Sequence, residues 1–157
     1  MGRVRKAVPG DLPRVNALLE EVLRVHHAGR PDLFNAGGKK YSDEELLTIF
    51  ADPLTPVFVY EEDGVVLGYA FCVIREPGAA SGSLRPVKTL YIDDICVDPQ
   101  ARGKHIGTTL FEHVRGFARS LRCHNITLHV WACNPSARAF YDSLGLQPQY
   151  TSMEIIL

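Results

Sequence analysis

A glycine between two cations, Arg102-Gly103-Lys104, sits at the centre of the stretch Val97-Asp98-Pro99-Gln100-Ala101-Arg102-Gly103-Lys104-His105-Ile106-Gly107-Thr108. An apolar run from Leu90 to Val97 precedes it and predicts a buried strand. Ile106, Leu110, Val114, Phe117, Ala118 and Leu121 follow at the spacing of an amphipathic helix. The first N–H groups of a helix lack partners, and the helix dipole places roughly half a positive charge there. A strand, a glycine turn and a helix start therefore suit an anion such as a pyrophosphate. Neither G-x-x-x-x-G-K-[ST] nor a G-x-G-x-x-G after a strand is present, which removes nucleoside triphosphate hydrolysis and dinucleotide binding. The strand itself carries two acids, Asp93 and Asp94. Alternation sends neighbouring strand side chains to opposite faces, so one acid is expected to be structural and the other free for chemistry.

A second stretch, Val130-Trp131-Ala132-Cys133-Asn134-Pro135-Ser136-Ala137-Arg138-Ala139-Phe140-Tyr141-Asp142-Ser143-Leu144-Gly145-Leu146, reads as a strand end feeding a short helix. Asn134 is a good N-cap, Pro135 suits the first helical position, and Gly145 stands where a glycine ends a helix. Together the two stretches resemble the GCN5-related N-acetyltransferase (GNAT) family. Its acetyl-CoA loop, R/Q-x-x-G-x-G/A, is matched from Gln100 to His105. Its N-x-x-A-x-x-F-Y helix is matched by Asn134, Ala137, Phe140 and Tyr141. The likeness is firm from about Leu90 to Leu146. His105 departs from it, standing where the family prefers Gly or Ala. A Cβ is acceptable there if φ is negative.

The resemblance implies an α/β fold: a mixed, mainly antiparallel sheet flanked by helices and splayed between the strand ending at Val97 and the strand ending at Trp131. Acetyl-CoA is the implied cosubstrate, with no metal. Its pantetheine would enter the splay against Ile95, Cys96 and Val97. Arg102, Gly103, Lys104, His105, Ile106, Gly107 and Thr108 would hold its phosphates, and Asn134, Ala137 and Tyr141 would touch it from the far side. The implied reaction moves the acetyl group to a primary amine by direct attack, a small-molecule amine being favoured. A protein lysine or N-terminal acceptor and a non-catalytic acyl-CoA sensor are the alternatives. Asp93 aligns with the catalytic Glu of the polyamine acetyltransferase branch, which makes it the expected base or cation anchor and leaves Asp94 structural. Backbone N–H groups near Ile95 and Cys96 would steady the oxyanion. Tyr141, a phenol with an ordinary pKa of about 10, would protonate the leaving thiolate. A homodimer is implied by the family alone.

Composition agrees with one N-acetyltransferase domain over residues 1–157. At 157 residues, 46% hydrophobic and 22% charged, the chain can build a full core. A net charge of −1 gives no basic field for nucleic acid or an anionic membrane. Cys72, Cys96, Cys123 and Cys133 show no C-x-x-C spacing and are expected as reduced thiols. The longest apolar run, Val65 to Ile74, is too short for a bilayer, so a cytoplasmic location is expected.

The elements that must position these residues read in order as β-α-α-β-β-β-α-β-α-β. Arg3–Val8 is a strand, and Asp11 caps a helix reaching about Ala28. His26 and His27 near its end are read as surface residues, with a place in a substrate mouth, and there the role of base, as the alternative. Residues 30–40 form a loop, and Ser42-Asp43-Glu44-Glu45 is a capping box. Val57–Glu61 and Val65–Ile74 form a hairpin around Glu62-Asp63-Gly64. A Gly/Ala/Ser-rich loop spans Pro77–Pro86 and is expected to move; it and the 30–40 loop are where acceptor selection is expected. Gln149–Leu157 alternates and predicts a last strand.

Overall fold

The computed structural model describes residues 1–78 and 82–157. Five strands and four helices follow in order: β1 (Arg3–Lys6), α1 (Leu12–Gly29), α2 (Asp43–Ala51), β2 (Val57–Glu62), β3 (Val65–Arg75), β4 (Thr89–Val97), α3 (Ile106–Ser120), β5 (Asn125–Leu128) and α4 (Pro135–Ser143). The sheet order is β1-β2-β3-β4-β5. All neighbours are antiparallel except β4 and β5, which run parallel. The expected mixed, mainly antiparallel sheet flanked by helices is present.

Local chemistry accounts for the elements. Asp63 and Gly64 both take positive φ, as a two-residue hairpin turn between right-twisted strands requires. The capping box forms: Ser42 Oγ accepts from Glu45 N at 3.1 Å and Glu45 Oε2 accepts from Ser42 N at 2.8 Å. Helix α4 ends with Gly145 N donating to Asp142 O and Leu146 N to Tyr141 O, the paired bonds of a Schellman motif.

The sheet buries two cores. On one face α3 packs Ile106, Leu110, Phe111, Val114 and Ala118 against Phe58, Ala70, Leu90 and Ile92. On the other, Val15, Leu18 and Leu19 of α1 and Leu46 of α2 cover Val57, Val59, Tyr69, Phe71 and Cys96. Strand β4 is thus enclosed on both sides, and a charge on it needs a partner.

Two expected boundaries differ. Gln149–Leu157 forms no strand: no ladder joins it to β5, and Met153, Ile155 and Ile156 are exposed. Side chains alone tether it, through Glu154 to Arg30 and Tyr150 to His129. Alternation in sequence makes a strand only where a free edge accepts it. The strand expected to end at Trp131 closes at Leu128, because its ladder with β4 stops at Ile92↔Leu128. Residues 79–81 of the expected Pro77–Pro86 loop lie outside the described residues.

Candidate active site

Beyond Ile92, β4 runs on to Val97 with no partner on its β5 side, while Asn134 caps α4 beyond the departing chain. The sheet is therefore splayed at this point, as the resemblance implies. A cleft of about 1140 Å³ opens there, between the α1 side and α4. It is lined by Ile92–Val97 on β4, by Leu128–Trp131, and by parts of the 30–41 segment.

The turn after β4 forms one wall. Asp98 Oδ1 accepts from Gln100 N at 2.9 Å, its Oδ2 pairs with Arg14 of α1, and its N–H donates to Leu67 O at 2.8 Å. These contacts fix where the chain turns. Gly103 then takes φ +83°. His105 takes φ +60° and ψ 21°, so the condition under which a Cβ is comfortable there, a negative φ, is not met. The position demands the left-handed region, which explains the family preference for a small residue there. His105 provides no side-chain cap to α3, leaving the first amides of a 15-residue helix without one. Gly107 serves packing: a Cβ there would lie 3.0 Å from the Phe140 ring, tight enough that the ring of α4 would have to shift to make room.

Of the expected cosubstrate residues, Ile95, Cys96, Val97, Arg102, Gly103, His105, Ile106, Gly107, Thr108, Asn134, Ala137 and Tyr141 all line the cleft. Lys104 does not; it is exposed on the outside of the turn. Cys96 and Ile106 bury their side chains in opposite cores, so they can offer only backbone. Asn134 spends its Oδ1 on Ala137 N at 3.2 Å. A free strand edge, an uncapped helix start and an adjoining cation fit an extended thioester with a pyrophosphate at one end.

The two acids contradict strict alternation. The β3–β4 register slips between Phe71 and Cys72: Phe71 pairs with Asp94, and Cys72 with Ile92, leaving Asp93 as the extra residue of a β-bulge. Leu90 and Ile92 belong to the α3 core before the bulge, and Ile95 and Val97 after it. Both acids consequently face the α1–α2 side and line the cleft. Asp93 Oδ2 accepts from Tyr41 OH at 2.9 Å and from Lys40 Nζ at 3.0 Å. Asp94 Oδ2 accepts from Tyr69 OH at 2.6 Å. Burial, opposed by that hydrogen bond and by Lys40, pushes the Asp94 carboxyl up to about 6. Burial also lifts the Tyr141 phenol well above its ordinary value, with the charges of Asp94 and Cys96 adding to it. Tyr141 therefore stays protonated.

Tyr41 and Tyr69 were not among the residues expected to matter, and Lys40 was expected only as the end of the 30–40 loop to which acceptor selection was given. Lys40 and Tyr41 lie more than 50 positions before Asp93, so only the fold joins them. An aromatic cluster was also missed: Phe34 stands 4.9 Å from the His26 ring and 5.1 Å from Trp131 between ring centroids. His26 and His27 are half-buried rather than free surface groups, with His27 Nδ1 2.8 Å from Phe34 O. The 30–41 segment thus spans from this cluster to Asp93. Among the described residues, none of 77–86 lines the cleft, no three His, Cys, Asp or Glu side chains gather as metal ligands, and no helix is long and apolar enough to cross a membrane.

Comparison with known proteins gives a consistent picture. The acetyltransferase (GNAT) family profile matches residues 20–146. A protein of Pseudomonas phage PaMx11 named 5-NmdU N-acetyltransferase is 38% identical over 89 residues, 57% of this chain and 55% of that protein. The chain therefore matches only about half the phage protein's length. A Bacillus subtilis protein, named for alanine N-acetylation of ribosomal protein bS18, is 26% identical over 133 residues, 85% of this chain and 79% of its own. A crystal structure of a Bacillus halodurans protein superposes with a TM-score of 0.95 at 27% identity, covering 99% of each chain.

Proposed function

The chain belongs to the acetyltransferase (GNAT) family, and from that premise we propose that residues 1–157 act as one acetyl-CoA-dependent N-acetyltransferase whose acceptor is a primary amine, a small molecule before a protein. The observation that carries this reading is the convergence of two acids and a protonated phenol on the free edge of β4.

Acetyl-CoA supplies the thioester and the leaving thiol. Ile95, Cys96 and Val97 offer their backbone to it, and Arg102, Gly103 and the first turn of α3 take the phosphates. Lys104 is left out of this set because it lies outside the cleft. An alkyl amine arrives charged, with a pKa near 10.4. Asp93, now neutralising Lys40, is the anchor that draws such a cation in. Asp94 is the better proton acceptor, since a carboxyl near 6 stands closer to the amine than an ordinary one at 3.8. The division keeps Asp93 as the cation anchor of the sequence expectation and departs from it at Asp94, which had been given a structural task. Amides near Ile95 and Cys96 steady the developing oxyanion, and Tyr141 gives its proton to the thiolate.

A small acceptor is supported by the 30–41 segment, which lays Phe34 and Lys40 along the cleft. A protein N-terminus is the second reading, supported by the name of the Bacillus subtilis relative. A panel of small amines and short peptides, read by thiol release from acetyl-CoA, tests both. Turnover with small amines supports the first reading, and turnover with peptides alone supports the second. Cosubstrate binding with no release from any member would make the chain a sensor.

A further inference from the structure

Among the lysines of the described residues, only Lys39 and Lys40 line the cleft, and they point to different partners. Lys39 Nζ lies 3.3 Å from Asp43 at the start of α2, on the outer side. Lys40 Nζ lies 3.0 Å from Asp93 Oδ2, with its ammonium 5.3 Å from the Tyr41 ring. It occupies the carboxylate proposed above as the anchor for an acceptor's ammonium. Asp94, next to Asp93 on β4, and Tyr141 of α4 line the same cleft. A primary amine, a proton acceptor and a proton donor thus share one cleft, and the amine is the chain's own.

We propose that Lys40 is an internal acetyl acceptor, modified on Nζ by acetyl-CoA bound in the same cleft. The inference rests on the acetyltransferase reading above. In this step the Lys40 ammonium gives a proton to Asp94, and neutral Nζ attacks the thioester carbon. The C–N bond forms, the C–S bond breaks, the departing thiolate takes the Tyr141 proton, and the second proton of the acetylated nitrogen passes to the Tyr141 phenolate to restore it. Asp94 then loses its proton to solvent, so the net products are an amide, free CoA thiol and one proton. Burial opposes the Lys40 charge, but the Asp93 hydrogen bond and carboxylate more than offset it and hold the ammonium above its ordinary value. The internal transfer is therefore slow beside transfer to a free amine. Its consequence is a change of charge: acetyl-Lys40 no longer neutralises Asp93, and the carboxylate becomes available to an incoming cation.

The test incubates the purified chain with acetyl-CoA and no acceptor, then measures acetyl occupancy at every lysine by peptide mass spectrometry. Lys40 should be acetylated at least about tenfold faster than Lys39, at a rate per molecule unchanged by dilution. The rate should fall about tenfold or more in Tyr141→Phe, folded by its melting curve. The acetylated peptide should vanish in Lys40→Arg. Equal rates at Lys39 and Lys40, indifference to Tyr141→Phe, or a rate that rises with protein concentration would overturn the inference. The same preparation is assayed with the amine panel. Thiol release without Lys40 acetylation removes this inference alone; failure of both removes the acetyltransferase reading with it.

Discussion

The turn between β4 and α3 is held by its own backbone and one aspartate, whereas the acid pair a few residues earlier is held by side chains from β3 and the 30–41 segment. In the turn, Gly103 and His105 adopt the left-handed conformations that aim the chain into α3, and Asp98 pins its start. At the acid pair, a β-bulge turns Asp93 and Asp94 to one face, and Tyr41, Lys40 and Tyr69 fix them there. A backbone device can tolerate changes of side chain as long as φ is preserved. A side-chain device fails when one charge is lost, although its backbone survives.

That contrast is tested most severely at Asp94. Asp94→Asn should reduce kcat by roughly 10²–10⁴-fold with acetyl-CoA affinity little changed. The acidic limb of kcat/KM, expected near pH 6, should disappear with it. Stability should move in a way that identifies the group. The folded pKa of about 6 lies above the ordinary 3.8, so the folded chain holds a proton that the unfolded chain has released between those values. The stabilisation is complete below about 3.8 and is lost as pH rises through about 6. Wild type should therefore lose stability relative to Asp94→Asn across that window in melting curves. Unchanged turnover in this variant would return the proton transfer to Asp93.

Tyr141→Phe should come next, lowering kcat by about 10²-fold while calorimetry with acetyl-CoA stays nearly level. Full turnover would leave Tyr141 as a packing residue beside Phe140.

How far each region could be read from sequence follows from the same difference. The turn was legible because its determinants are contiguous: a strand end, a glycine and a helix period lie within one window. The partners of the acids were not, since Lys40 and Tyr41 meet Asp93 only after β4 has found β3 and α2 has docked. The facing of Asp94 was misread because a bulge is a property of two strands, and strict alternation along β4 alone would send it away from Asp93. The last strand was misread for a related reason. Residues 149–157 alternate, but β5 pairs with β4 alone and no ladder takes them in. Fold class survived both errors because it depends on element order and not on one register.

The turn can be broken through its backbone. A Cβ at Gly103 would meet nothing within 4 Å, so crowding by the chain itself is not the objection to a larger residue. The φ of +83° is. Gly103→Val should weaken acetyl-CoA binding by more than about tenfold in calorimetry, since a β-branched residue resists the left-handed region. Gly103→Asn should retain more of the affinity, because Asn enters that region more readily. Equal losses would mean that a side chain of any kind obstructs the phosphates, and conformation would not be the cause.

His105 gives the smallest expected effect and the cleanest separation of backbone from side chain. Its φ of +60° costs an L-residue roughly 1–2 kcal/mol relative to the right-handed region. Glycine removes that strain but returns about 0.4–1 kcal/mol of conformational entropy to the unfolded chain. His105→Gly should therefore stabilise the fold by about 0.5–1 kcal/mol, a rise of about 2 °C in Tm for a chain of this size. Because the imidazole caps nothing, acetyl-CoA affinity should stay within a few-fold. His105→Ala keeps the strain and deletes the ring, so it should match wild type in stability while also binding normally. A loss of affinity shared by both variants would assign the imidazole a direct contact with the cosubstrate. A loss in Gly alone would mean that strain holds the turn in its binding shape.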